Sequence, residues 1–207
     1  MILCLEGPDL AGKSSTASRI ADILERDGFR SVAPRGTHVF RCPGTSRLGE
    51  LLRGPLKDKN FAMSEEVLSL AFAAVDLDAM QMAERYGNGE EAHVVLDRCG
   101  LSNLAYRRAF DQERGLHLLE CLGGGIVKPR GARVVLLDLD EDVAQRRMVA
   151  RGGGAGDRFE EEGMARWRRI REAYLSPLCM GHVDCVVRIQ GDWDVDTVAR
   201  MVLSAVA

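Results

Sequence analysis

Short apolar runs separated by helix-patterned stretches organise the chain. Five runs rich in Val, Ile and Leu have the length of a strand, and they cover residues 2–5, 38–40, 94–96, 134–137 and 185–189. Because apolar residues follow one another in these runs without alternation, the runs are typical of strands that are buried on both faces. Their alternation with helical patterns predicts an α/β protein with a parallel five-stranded sheet flanked by helices on both faces.

Apolar residues at helical spacing fill the segments between the strands. A first helix is predicted from near Lys13 to Gly28, where glycine suits a helix C-terminus. Three further helices are predicted over residues 64–86, 140–151 and 164–174, and the last of these is interpreted as the final helix of the chain. Because no segment repeats and no composition shift marks a boundary, residues 1–207 are expected to form a single domain.

Composition narrows the class of protein. Apolar residues make up 46% and charged residues 29% of the chain, which favours a folded domain over a disordered one. The formal charge of −3 provides no overall field that would attract a nucleic acid or an anionic membrane. The nearly apolar run 67–75 is too short to span a bilayer, and residues 1–5 lack a basic signal-peptide start. We therefore expect a cytoplasmic protein that binds neither nucleic acid nor membrane.

A glycine-rich motif follows the first predicted strand. Residues 7–14, GPDLAGKS, match G-x-x-x-x-G-K-[ST] between a strand and a helix, which is the context that a phosphate-binding loop requires. Lys13 is expected to neutralise phosphate charge, and the Ser14 hydroxyl to ligate Mg²⁺. The alternative is a chance glycine-rich turn. The residues expected to bind ATP are Gly7, Asp9, Leu10, Ala11, Gly12, Lys13, Ser14 and Ser15.

A second polar element ends the third predicted strand. Asp97 and Arg98 follow an apolar run, and ligands of open parallel sheets bind at the carboxyl ends of the strands. Asp97 is a candidate for holding magnesium through water, while the fork of Arg98 suits phosphate oxygens. A salt-bridged strand end is the alternative for this pair.

With these two elements in place, the chain resembles the thymidylate kinase family, which uses ATP to phosphorylate dTMP. The resemblance is carried by residues 6–14, by RCPGTSRLGE at 41–50, by AFAA at 71–74, by DRCGLSNLAY at 97–106, and by Arg151, Gly152, Asp157, Arg158 and Glu160. It implies a P-loop NTPase fold with a small lid over about 151–160. It also implies that ATP and Mg²⁺ are used and that the chain is a homodimer packed through helices.

The resemblance assigns roles on the acceptor side. It implies that Arg41 and Arg98 bind the acceptor monophosphate, that Phe72 stacks on the base, and that Asp9 lies between the acceptor sugar and the metal. From helical spacing alone, the alternative is that Phe72 and Tyr106 are core residues. The expected acceptor-binding residues are Asp9, Arg41, Phe72, Asp76, Arg98, Ser102, Asn103 and Tyr106, and the expected metal-binding residues are Ser14, Asp97 and Asp9.

The phosphate loop departs from that of some relatives at Leu10, and this departure bears on the arginines of the lid. Some relatives carry an arginine at the position of Leu10, and leucine cannot stabilise transferring charge. Arg151 and Arg158, beside the glycine run 152–156, are therefore the candidates to close on ATP; the alternative is a surface loop with solvated arginines. The residues expected to act in catalysis are Lys13, Arg98, Asp9, Arg151 and Arg158.

A second departure concerns the base of the acceptor. Many relatives carry an arginine at the position of Asp76, and a tyrosine at that of Cys99, so both changes are expected to alter the acceptor pocket. A carboxylate accepts hydrogen bonds more readily than it donates them, so a modified or different pyrimidine monophosphate is an alternative acceptor. A switch protein that binds ATP without catalysis is the alternative from a different class.

Overall fold

The computed structural model of the chain describes residues 1–26, 36–58, 60–87, 92–151, 163–191 and 193–207. Five parallel strands form one sheet in the order β2-β3-β1-β4-β5. The strands are β1 (Ile2–Glu6), β2 (Thr37–Arg41), β3 (His93–Asp97), β4 (Ala132–Leu139) and β5 (Cys185–Ile189). The predicted fold class is confirmed, and each strand lies where an apolar run was identified.

Helices cover both faces of the sheet. They are α1 (Lys13–Arg26), α2 (Arg47–Lys57), α3 (Glu65–Gly87), α4 (Gly100–Ala109), α5 (Glu113–Leu122), α6 (Glu141–Ala150), α7 (Gly163–Tyr174), α8 (Pro177–Met180) and α9 (Val195–Val206), with a 3-10 turn at Gly124–Ile126. The predicted helix end at Gly28 lies outside the described residues, as do the glycine run 152–156 and Arg158. No described helix is long and apolar enough to cross a membrane.

The side chains of β1 show how the sheet separates two cores. Ile2 and Cys4 pack into the core on the side of α3, α4 and α7, whereas Leu3 and Leu5 pack into the core on the side of α1 and α9. Successive side chains of a strand point to opposite faces, so a continuous apolar run serves both cores at once. Because all five strands are parallel, their carboxyl ends lie at one edge of the sheet.

The described helices include α2 and α9, which were not predicted, so α7 is not the final helix. The last helix, α9, begins after Asp194, whose carboxylate accepts a hydrogen bond from the amide of Thr197 at 2.7 Å. Its buried residues Val198, Ala199 and Val202 have helical spacing, so the pattern was present and was overlooked.

The helix α2, unlike α9, contains residues that disfavour a helix. It contains Gly49, Gly54 and Pro55, which disfavour helix. Packing of Leu56 against α3 overrides that local preference.

Candidate active site

The loop between β1 and α1 has the backbone that a phosphate-binding loop needs. Gly7 has φ +138°, and a Cβ there would lie 2.4 Å from the carbonyl oxygen of Leu137. Gly12 has φ +82°, a conformation that side chains rarely adopt. The Nζ of Lys13 donates to the carbonyls of Gly7 at 3.0 Å and Pro8 at 2.8 Å. The loop therefore folds around the ammonium group of Lys13.

Burial changes the pKa of Lys13 in this loop. Desolvation and the neighbouring guanidinium of Arg98 lower the pKa of Lys13 to about 8. A phosphate placed beside it would favour the charged form. Leu10 has φ +71°, and its carbonyl accepts a hydrogen bond from Arg147 at 2.8 Å. Arg147 thus fixes the strained turn of the loop from α6, a contact that the sequence analysis missed.

Oxygen atoms suited to Mg²⁺ meet at the start of α1. The hydroxyl of Ser14 donates to a carboxylate oxygen of Asp97 at 2.5 Å, which brings together two of the three predicted metal ligands. Among the described residues no group of three His, Cys, Asp or Glu side chains could hold an ion unaided. One hydroxyl and one carboxylate fit a magnesium ion that takes its remaining ligands from water and from nucleotide phosphates.

Arg98 is held by a set of contacts that fix its fork. Its Nη1 donates to the carbonyl of Gly7 at 3.2 Å, to the hydroxyl of Ser102 at 2.9 Å and to that of Tyr174 at 3.1 Å. Its Nη2 lies 2.5 Å from the carboxylate of Asp9. The backbone of Arg98 has φ +75°, in the left-handed region. The guanidinium is therefore fixed beside the phosphate loop before any ligand binds.

A buried carboxylate holds the side chains of Ser102 and Tyr174, which contact Arg98. Glu6 is fully buried at the end of β1 and accepts from the amides of Cys99 at 2.7 Å and Ser102 at 3.2 Å. It also accepts from the hydroxyls of Ser102 at 2.7 Å and Tyr174 at 2.8 Å. No role for Glu6 was predicted from the sequence, although a carboxylate at the end of an otherwise apolar strand indicates one.

Asp9 connects the phosphate loop to α4 and α7. Its carboxylate accepts from the Tyr106 hydroxyl at 2.9 Å, and its carbonyl accepts from the Trp167 indole at 2.9 Å. Burial opposes ionisation of Asp9, but Arg98, Lys13 and the tyrosine hydrogen bond outweigh it and hold the pKa of Asp9 below its usual value. Asp9 is thus a carboxylate paired with cations.

One cavity of about 610 Å³ lies at this edge of the sheet. The predicted site residues that line it are Asp9, Leu10, Gly12, Lys13, Ser14, Ser15, Arg41, Phe72, Asp76, Asp97, Arg98, Ser102, Asn103, Tyr106 and Arg151. Gly7 and Ala11 lie behind the wall as part of the loop backbone, and Arg158 is outside the described residues. The two elements found separately in the sequence therefore share one cavity.

The acceptor side of the cavity contains both expected and unexpected residues. Cys99 is fully buried and does not line the cavity, whereas Cys42 does. Cations that the sequence analysis missed also line the cavity, and these are Arg53, Lys57, Arg107 and Arg147. Arg53 and Lys57 belong to the unpredicted helix α2, so their position depended on an element that the pattern did not show.

Comparison with known proteins agrees with this geometry. The family model described as thymidylate kinase matches residues 5–183. The thymidylate kinase of Caulobacter vibrioides is 32% identical over 99% of this chain and 94% of its own. That of Pseudomonas putida is 34% identical over 84% of this chain and 80% of its own.

Solved structures show the same fold. The thymidylate kinase of Candida albicans superposes with a TM-score of 0.73 at 20% identity, covering 99% of this chain and 90% of that one. The thymidylate kinase of Ehrlichia chaffeensis has a TM-score of 0.70 at 18% identity, covering 100% and 98%. By its sequence match and its fold, the chain belongs to the thymidylate kinase family.

Proposed function

We propose that this chain transfers the γ-phosphoryl group of ATP to the monophosphate of dTMP and so forms the diphosphate. The observation that carries the proposal is a single cavity shared by the phosphate loop and the acceptor-side residues Arg41, Phe72 and Arg98. A protein that only bound and released ATP would have no need for guanidinium groups and a ring on the far side of the loop.

The loop end of the cavity suits the triphosphate of ATP. Backbone amides of the loop, the N-terminus of α1 and the ammonium of Lys13 surround the space where the β- and γ-phosphates would lie. Ser14 and Asp97 would hold Mg²⁺, which neutralises phosphate charge when bound. Arg151 lines the cavity at the end of α6 and is proposed, with Arg158, to close over the nucleotide.

The acceptor end suits a nucleoside monophosphate. Arg41 Nε lies 3.6 Å from Asp97, so its guanidinium stands between the acceptor side and the proposed metal site. Arg41 and Arg98 would hold the dianionic phosphate of dTMP with one of its oxygens in line with the γ-phosphorus of ATP. Phosphoryl transfer needs no nucleophilic side chain, because positioning and charge neutralisation supply most of the rate.

An ADP-release assay tests the proposed function. We expect ADP to form when ATP, Mg²⁺ and dTMP are all present, and not when dTMP is omitted. Arg41→Gln should raise the KM for dTMP about tenfold or more, because a charged phosphate contact is lost, and leave the KM for ATP unchanged. The matched control is Arg188→Gln, which changes an exposed side chain on β5.

The same assay separates the alternative functions. ATP binding without acceptor-dependent ADP release would contradict the kinase and favour a switch protein. Release with other monophosphates but not with dTMP would support a kinase for a different acceptor.

We also propose that the chain forms a homodimer through α2 and α3. Leu51 is 68% exposed on α2, while Val67 and Leu70 are 53% and 44% exposed on α3. Interfaces between identical chains commonly bury such apolar side chains. Light scattering should give twice the chain mass for the wild type and the single-chain mass for Leu70→Glu; a single-chain mass for both would contradict the dimer.

A further inference from the structure

The base end of the cavity contains a carboxyl group without a partner. Asp76 lies on α3 one turn after Phe72, so both side chains share one face of the helix and line the same cavity. Asp76 is 3% exposed. Within the part of the chain that the structure describes, no residue hydrogen-bonds to its carboxyl group. A buried acid group in that position lacks the partner that such groups normally have.

The surroundings keep Asp76 neutral. Burial and the carboxylate of Glu6 raise the pKa of Asp76 to about 8, and Arg98 opposes that effect. The fork of Arg98 contacts Asp9 and Ser102 rather than Asp76. Since an acid is protonated below its pKa, Asp76 carries a hydroxyl donor and a carbonyl acceptor at neutral pH.

The ionisable groups that face Asp76 come from several elements. Glu6 comes from the end of β1, and the thiol of Cys42 follows β2, with its own pKa raised by burial and by Asp76. Arg98 follows β3. From the remaining elements packed on α3, the cationic groups at the wall of the cavity are Arg53 and Lys57 of α2 and Arg107 of α4.

We propose that the neutral carboxyl group of Asp76 pairs with the N3 and C4 edge of the acceptor pyrimidine, and that the site therefore accepts dCMP as well as dTMP. This inference rests on the proposed function. Thymine offers an N–H donor and a carbonyl acceptor on that edge, whereas cytosine offers an acceptor and an amino donor. A carboxylic acid presents one donor and one acceptor, and either of its oxygens can carry the proton, so it complements both bases.

The chemistry of the group explains why both bases would fit. A residue that only donates satisfies the carbonyl of thymine and leaves the amino group of cytosine unpaired, which is how polar sites reject a wrong substrate. Asp76 leaves no group unpaired with either base. An ionised carboxylate has no donor, so it would face the carbonyl of thymine or the ring nitrogen of cytosine acceptor to acceptor, and ionisation should weaken binding of both.

The test compares the wild type with Asp76→Asn and Asp76→Leu in the ADP-release assay. With dTMP and dCMP, we expect wild-type kcat/KM values within about a hundredfold of each other. Asp76→Asn keeps one donor and one acceptor and should keep both activities. Asp76→Leu should raise the KM for both acceptors about ten- to a hundredfold, because their polar edge is left unpaired. The matched control is Asp78→Asn, next along α3 and outside the cavity wall.

A pH series isolates the protonation of Asp76 from that of other groups. Between pH 6.5 and pH 9 the wild-type KM for dTMP should rise up to about tenfold relative to that of Asp76→Asn, which cannot ionise. Lys13 and the substrate phosphate titrate equally in both proteins, so the ratio reports Asp76. Parallel profiles, an unchanged KM in Asp76→Leu, or a preference for dTMP over dCMP above ten-thousandfold would each overturn the proposal.

Failure of the proposed function would give a result different from failure of this inference. If no monophosphate supports ADP release, the kinase proposal fails, and calorimetric binding of dTMP and dCMP to the same three proteins still tests Asp76. Binding that Asp76→Leu weakens for both nucleotides and Asp76→Asn preserves would support the inference. Equal binding by all three would overturn it.

Discussion

The two ends of the cavity are built differently. At the loop end, the polar side chains are held before any ligand arrives: Lys13 by two carbonyls, Ser14 by Asp97, and Arg98 by its surrounding contacts. At the base end, Asp76 is buried without such a contact among the described residues. Phosphate is the same in every substrate, so its binding groups can be fixed in advance. The group that is proposed to recognise the base, Asp76, would form its hydrogen bonds only with the bound base.

The largest expected effect is at the loop end. Lys13→Ala should lower kcat about 10²- to 10³-fold, about 2.7 to 4 kcal/mol, because a charge directed at the transferring phosphoryl group is lost. Steady-state ADP release measures it. The surface variant Lys128→Ala, which breaks an ion pair with Asp184, should turn over normally. Equal rates in the two variants would contradict the role of Lys13.

The second prediction concerns what the unpartnered carboxyl of Asp76 does to stability. The folded-state pKa is raised from 3.8 to about 8, so the stability of the protonated form is lost as the pH rises through this interval. Asp76→Asn has no such loss. Its free energy of unfolding should gain about 3 to 4 kcal/mol relative to the wild type between pH 5 and pH 8.

Urea unfolding at these two pH values measures the difference. Asp78→Asn serves as the control and should follow the wild type at both. A constant gap between wild type and Asp76→Asn would show that folding does not raise the pKa of Asp76.

A smaller effect should follow from changing the shape of a cation while keeping its charge. Arg98→Lys retains the charge but loses the fork that contacts Gly7, Ser102 and Asp9 together, so kcat should fall about tenfold. The exposed Arg188→Lys is the matched change. Wild-type turnover in Arg98→Lys would mean that charge alone suffices at this end of the cavity.

The smallest effect is expected at Tyr174, whose hydroxyl contacts Arg98. Tyr174→Phe removes one hydroxyl that contacts Arg98, Ser102 and Glu6, worth about 1 kcal/mol, so kcat should fall about fivefold with an unchanged KM for ATP. Tyr86→Phe, at the exposed end of α3, is the control. A raised KM for ATP with an unchanged kcat would place Tyr174 in nucleotide binding rather than in the orientation of Arg98.

The loop end was predictable because its chemistry is local. A glycine where no Cβ fits, a lysine one residue before a serine, and a strand before them lie within one short segment. Asp97 and Arg98 were predictable for a related reason, since parallel strands bring their carboxyl ends to one edge. Both predictions needed no knowledge of distant packing.

The support beneath this site was less predictable. Trp167 and Tyr174 were assigned to an amphipathic helix, yet one donates to the carbonyl of Asp9 and the other contacts Arg98. Helical spacing shows that a side chain faces the core and does not show which group it meets there. The helix α2 was missed because packing of Leu56 outweighed the local effect of its glycines and proline.

By itself, the sequence determined the five strands, the phosphate loop and the charged pair that ends β3, because each depends on residues that are neighbours along the chain. The tertiary structure decided that Arg41, Phe72 and Asp76 share one cavity with Lys13. It also decided that Asp76 is buried near Glu6, whose carboxylate raises its pKa, with no hydrogen-bond partner in the described part of the chain. The protonation of a carboxyl group depends on burial and nearby charge, and both are properties of the folded chain rather than of residue order.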